Sequence, residues 1–272
     1  MPRYRLTIEY AGTRYSGWQI QANARTVQGE LLRAIRDAAG EEPLDFQGSG
    51  RTDAGVHALA QVAHVDLRHG VPPEAWRLAV NDGLPSDIHV LAVAPVPHRF
   101  HARRSAVARS YLYQVSRRRT AFAKPYVWWV KDPIDLGAVR ASAALFAGMH
   151  DFQSFTDADP EEGSTKVALD PILIEEHGEL VLLRVSGSHF IWKMVRRIVG
   201  VLVEAGRGGL TVERAAGFLE ERSPLPARLT APASGLFLER VAYPGDPPAP
   251  PLRPAVEVRS PHVVGSWLTA DS

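Results

Sequence analysis

Polar and apolar residues alternate without a break at the start of the chain. Arg3, Arg5, Thr7 and Glu9 fall on one side, and Tyr4, Leu6, Ile8 and Tyr10 on the other. That is the period of a strand with one buried face. The period then lengthens: Val27, Leu31, Ile35 and Ala38 recur at helical spacing between Thr26, a capping residue, and Gly40, a stop. A glycine-rich loop around Asp53 follows, then a strand through His57 to Leu67, a short helix after Pro72-Pro73 and a strand near Ile88 to Val93. This order predicts an α+β half built on a sheet with helices on one side.

The second part of the chain repeats the order without repeating the sequence. Ser105 to Ser116 reads as a strand with Tyr111, Tyr113 and Val115 on one face, and Ile134 to Phe146 as a helix. Pro171 to His177 and Glu179 to Ser186 read as a hairpin turning at Gly178. His189 to Glu204 is the strongest helical pattern, followed by Thr211 to Glu221 and a last strand from Leu236 to Tyr243. Asp157 to Thr165 is acidic and turn-rich, the signature of a mobile loop. We therefore divide the chain into an N-terminal α+β half (1–104) carrying the glycine-rich loop, a C-terminal α+β half (105–243), and a tail (244–272). The tail holds seven prolines and is expected to be extended or disordered.

Composition narrows the function classes. The absence of cysteine excludes a disulfide framework, Fe–S clusters and cysteine-ligated zinc, and with the last a zinc nucleobase deaminase. No stretch reads as a signal peptide or membrane span, so a cytoplasmic location is expected. The net charge of +1 conceals a strong segregation of charge. Between Asp87 and Asp132 there is no acid, but there are Arg99, Arg103, Arg104, Arg109, Arg117, Arg118, Arg119, Lys124 and Lys131. A second acid-free stretch, Leu180 to Val203, carries Arg184, Lys193, Arg196 and Arg197. One such run reads as a solvated face; two, both interleaved with aromatics, point to RNA.

Asp53 leads the candidates for chemistry. A carboxylate can attack a sugar carbon or an electrophilic ring carbon if it stays ionised while shielded, which calls for a nearby cation and hydrogen-bond donors. Arg51 is two residues away and the loop's backbone N–H groups are close. The competing reading is an aspartate that only stabilises its own turn. Arg196 falls at the edge of the apolar arc of its helix, beside Trp192 and Val203, where it either snorkels to water or pairs with a buried carboxylate. Tyr111 belongs to a core-facing strand face and can still stack on a base. His64 and Asp66 share a strand face, but His57 has the opposite parity, so a three-ligand metal site would need a bulge and no metal is expected. QGSGRT is neither a G-x-S-x-G elbow nor a P-loop.

Five segments together resemble one family: GSGRTDAGVHA (48–58), IEYAGTRYSGWQIQ (8–21), RSYLYQV (109–115), MHDFQSF (149–155) and MVRRIVG (194–200). They resemble the TruA family of tRNA pseudouridine synthases, over roughly residues 3 to 243. The resemblance implies Asp53 as the catalytic aspartate, attacking C1′ or assisting a deprotonation there. It implies Tyr111 as the residue that stacks on the target base and Arg196 as the cation paired with Asp53. Arg51, two residues from Asp53, is read from its position as a further substrate-binding residue. The implied fold is two ferredoxin-like (RRM-like) halves sharing a central antiparallel sheet, helices on one face and the catalytic cleft between the halves. The implied activity is isomerisation of uridine to pseudouridine at positions 38, 39 and 40 of the tRNA anticodon stem-loop, by a homodimer without cofactor. The rival readings are a non-catalytic RNA-binding protein or RNA chaperone, and, more weakly, a metal-dependent hydrolase using His64 and Asp66. Departures from the family pattern are FIWK (190–193) where a histidine-containing stretch is common, Lys166 where an arginine is usual, and the long tail.

Overall fold

The computed structural model describes residues 1–157 and 163–259. The first half runs β1 (Arg3–Tyr10), α1 (Val27–Ala39), β2 (Asp45–Gly48), β3 (His57–Asp66), α2 (Pro73–Asp82) and β4 (Ile88–Val96). The second runs β5 (Ala108–Ser116), β6 (Trp128–Trp129), α3 (Leu136–Ala144), β7 (Gly148–Asp151), β8 (Lys166–Leu169), β9 (Leu173–His177) and β10 (Leu180–Gly187). It continues with α4 (Met194–Gly206), α5 (Val212–Glu220), α6 (Leu225–Arg228) and β11 (Leu236–Ala242). All strands join one sheet in the order β4-β1-β3-β11-β5-β10-β8-β7, with β2 on β3, β6 on β5 and β9 on β10. Neighbours along the path are antiparallel except β3 and β11, which pair in parallel at Phe237–His57 and Leu238–Ala58. The last strand thus closes the sheet between the two parts of the chain.

Local chemistry sets the boundaries. Thr26 Oγ1 accepts from Gly29 N at 3.2 Å, and Gly40 ends α1 in the left-handed conformation at φ 67°. Asp135 Oδ1 accepts from Gly137 N at 2.7 Å, so α3 begins two residues after Ile134. The helix expected from His189 starts only at Met194. Lys193 stands before it at φ 61°, a left-handed residue that no α-helix can run through. The strand expected from Ser105 begins at Ala108, because Ser105 N closes a turn onto His101 O.

Two helix-side clusters and one on the opposite face make the core. Leu31 and Ile35 of α1 pack on Leu6 and Ile8, while Ile198, Val199 and Leu202 of α4 pack on Tyr113, Val115 and Val185. Strand β11 serves both, with Leu236 in one cluster and Leu238 in the other; Phe237, of opposite parity, enters the third.

That third cluster explains the proline-rich segment. Residues 244–259 form neither helix nor strand, yet Leu252 and Val258 are buried against Leu112, Leu182 and Phe237. Gln114 Oε1 accepts from Ala255 N at 2.6 Å, and the Arg184 guanidinium, doubly bonded to Glu239, donates to Pro250 O at 2.8 Å. The segment is therefore anchored to the sheet without regular structure of its own. Residues 260–272 of the tail, and 158–162 of the acidic loop, lie outside the described residues. Leu252→Ala is expected to lower unfolding free energy by about 2–3 kcal/mol in urea titrations, from lost burial and a residual cavity, and to leave activity unchanged.

Candidate active site

The Asp53 loop is braced from three sides. Thr52 O accepts from Trp18 N at 3.0 Å, and the Thr52 hydroxyl bonds the Tyr10 hydroxyl at 2.8 Å. Ser49 N donates to Val62 O at 2.7 Å, while buried Gln61 takes the Ser49 hydroxyl at 2.6 Å and donates to Gly50 O at 3.1 Å. Gly55 N reaches Tyr15 O at 3.3 Å. The segments 8–21 and 48–58, separate in sequence, therefore form a single scaffold. Two of the loop's glycines have distinct causes. Val56 N donates to Asp53 O at 3.1 Å, closing a turn whose third residue, Gly55, sits at φ 78°. At Gly48 a Cβ would stand 2.7 Å from the Trp18 ring.

Among the described residues the Asp53 carboxylate makes no hydrogen bond to its own loop. It points across to α4, where Arg196 Nη1 stands 3.6 Å from Oδ2. Arg196 does not snorkel: its side chain is 17% exposed, and its Nε donates to Ala231 O at 2.7 Å. That second bond fixes the guanidinium on the side of the carboxylate. Burial pushes the Asp53 carboxyl above its ordinary range, and the charges of Arg196 and Lys193, with the Trp192 side chain, pull against that rise. The carboxylate is thus partly desolvated yet accompanied by cations.

Tyr111 packs against both helix-side clusters and meets Phe190 edge-on at 5.0 Å. Burial, and then the Asp53 charge, push its hydroxyl up to about 12, so it remains protonated at neutral pH. Asp53, Tyr111 and Arg196 are brought together. Arg51 is not: it is exposed and, among the described residues, has no hydrogen bond or ion pair. The cation beside Asp53 is Arg196, because the turn at 53–56 sends Asp53 inward while Arg51 faces solvent.

The basic runs divide when their partners are known. Arg184 pairs with Glu239, Arg197 with Asp157, Lys193 with Asp157 at 2.9 Å, and Arg196 with Asp53. All four cations of the second run therefore pair with the protein's own acids. In the first run, Arg117 bonds Glu176 and Gly178 O, and Arg118 bonds Arg259 O. Arg103 and Arg104, by contrast, are exposed and their guanidinium groups are free of protein acceptors among the described residues.

The histidines considered for a metal are engaged elsewhere. His57 accepts from Gly12 N at 3.0 Å and faces Pro125 O at 3.0 Å; His64 lies 3.0 Å from Asp45; Asp66 holds Arg3 through two 2.6 Å bonds. Tyr10, Thr52 and Gln61 were not among the candidate site residues, and Trp192 entered only as a neighbour of Arg196. Trp192 is half exposed beside the carboxylate, with Lys193 Nζ 4.4 Å from its ring. An exposed tryptophan next to the only non-glycine left-handed residue among those described marks that corner as specialised. Its sequence signal was the departure FIWK.

The family described as tRNA pseudouridine synthase matches residues 6–103 and 142–244, which include Asp53 and Arg196. A relative from Maricaulis maris, named tRNA pseudouridine synthase A, is 42% identical over 248 residues, covering 90% of this chain and 99% of its own. Relatives of the same name from Allorhizobium ampelinum and Halalkalibacterium halodurans are 40% and 38% identical over 251 and 242 residues. They cover 90% and 88% of this chain and 96% and 92% of their own. With the motifs, the braced loop and these matches in hand, the chain belongs to the tRNA pseudouridine synthase family, in the branch of tRNA pseudouridine synthase A.

Proposed function

We propose that this chain converts uridine to pseudouridine in tRNA, with Asp53 acting on the ribose. The observation that carries the reading is the half-buried Asp53 carboxylate 3.6 Å from Arg196, on a loop with the family's motif. In the reaction the N1–C1′ bond breaks, the uracil turns in the pocket, and C5 bonds to C1′. The C5 proton leaves and N1 gains one, so atoms balance without a cofactor. Asp53 attacks C1′ or takes a proton from the ribose; Arg196 holds it ionised, and Tyr111 stacks on the extruded base. Extrusion costs a few kcal/mol and is cheapest at a loop or stem end, which supports the anticodon stem-loop, positions 38, 39 and 40, as the target. The reading includes two ferredoxin-like halves with the cleft between them, a cytoplasmic homodimer, and Arg51, facing outward beside the site, as a contact to substrate.

Tritium release from tRNA labelled at uracil C5 tests the reaction. Release with and without chelator is the expected result. Binding of tRNA without release would leave an RNA-binding protein or chaperone, and release abolished by chelator would favour the metal reading.

The division of the basic run gives a second prediction. Arg103→Ala with Arg104→Ala is expected to weaken tRNA binding and lower the log–log salt slope by about two, roughly one per phosphate contact. Arg117→Ala with Arg118→Ala is expected to leave the slope unchanged, since both groups bond protein carbonyls. Filter binding at several salt concentrations measures both, and equal effects would contradict the division.

A further inference from the structure

Arg109 belongs to the basic run by composition but not by contact. It stands at the start of β5, two residues before Tyr111. Its Nη2 donates to Ser49 O at 3.1 Å and to Arg103 O at 2.8 Å, and its Nη1 to Ser188 O at 3.1 Å. No carboxylate pairs with it among the described residues. One guanidinium is thus held by three carbonyl dipoles from three separate segments. Ser49 opens the loop that carries Asp53 and is itself fixed by Gln61 and Val62. Ser188 begins the turn that leads to Trp192, Lys193 and α4. Arg103 lies in the exposed basic turn that ends just before β5.

We propose that Arg109 is a positioning residue that latches the Asp53 loop to the turn ahead of α4, so that Asp53 and Arg196 face each other at a fixed separation. The two residues come from distant parts of the chain, and Ala231 O holds only the Arg196 side of the pair. The Arg109 fork supplies a tie across the same gap from the Asp53 side. The chemistry demands arginine. A planar fork reaches three carbonyls at once, whereas a lysine ammonium is a point donor on a flexible stem. Burial pulls the Arg109 pKa down, as expected for a cation held by neutral dipoles, and it remains charged. The kinetic half of the test rests on the proposed reaction; the exchange half does not.

Arg109→Lys in the full chain is the test, read in two ways. Amide hydrogen exchange is expected to quicken in the segments 48–56 and 188–193 and to stay at wild-type rates in β1 and α1. In steady state, kcat is expected to fall on the order of 10- to 100-fold, the scale of a displacement of about 1 Å at a reacting group. KM for tRNA should stay within about threefold and the salt slope unchanged. Guanidinium added to Arg109→Ala should restore part of kcat. Unchanged exchange in both segments would overturn the proposal. So would a salt slope lowered by about one with kcat intact, the mark of a phosphate contact, or a lower Tm with kcat intact, the mark of a purely structural role. Should wild type make no pseudouridine, the proposed reaction fails while the exchange result still decides the latch.

Discussion

Asp53→Asn is expected to abolish pseudouridine formation and to leave the fold and the affinity for tRNA close to wild type. Asparagine keeps the size of the side chain, and the loop that holds it is braced through Thr52, Ser49 and Gly55 rather than through the carboxylate. What is lost is the negative charge and the nucleophile or base. A single-turnover assay should show a rate at least about a thousandfold lower, the scale of losing a reacting group. Stability should be unchanged or slightly higher. Burial raises the Asp53 pKa, so the ionised carboxylate costs folding energy at neutral pH, and the neutral amide removes that cost. A residual rate within about fiftyfold of wild type would remove Asp53 from the chemistry.

Much of this was legible in the sequence where the determinant is local. The alternation from Arg3 to Tyr10 gave β1, and Thr26 with Gly40 bounded α1, because strand parity and helix capping involve residues close in the chain. The Asp53 loop stood out through its glycines and motif. What stayed hidden depends on contacts across the fold. Arg196 sat at the edge of a helical arc, and nothing within its own helix distinguishes a solvated guanidinium from one facing Asp53. The helical pattern also runs back past the true start at Met194, since a left-handed Lys193 has no compositional signature. Arg109, Arg117 and Arg184 looked alike as charges; apart from Arg103 O, which Arg109 reaches six residues away, their acceptors are backbone carbonyls or acids 55 or more residues away, invisible to any local pattern. The short strands β2, β6, β7 and β8, of two to four residues, were missed because alternation needs more positions to register. The tail's prolines predicted an extended or disordered chain; its anchoring on Gln114 and Arg184, beside Leu112, Leu182 and Phe237, depends on contacts across the fold.

Arg196→Met is expected to have the second largest effect, and its sign with pH is fixed by the geometry. Methionine keeps an unbranched apolar stem but removes both the charge facing Asp53 and the bond to Ala231 O. Burial already raises the Asp53 pKa, and Arg196 is the largest influence opposing that rise. Removing it moves the pKa further up, so at a given pH less of the carboxylate is ionised. Activity that requires the ionised form falls as pH drops through this pKa, and in the variant the fall begins at higher pH. Stability should fall by less than the ~3–5 kcal/mol of a fully buried pair, because both side chains retain some solvent contact. That loss should shrink as pH falls and Asp53 becomes protonated.

The pairing of Asp53 with Arg196 is the centre of this account, and single-turnover pseudouridine formation as a function of pH, for wild type and Arg196→Met, measures it most directly. The variant's rate is expected to collapse at neutral pH and to recover partly as pH rises, its acid limb displaced upward from that of wild type. A variant profile that overlays wild type in both height and midpoint would show that Arg196 does not keep Asp53 ionised.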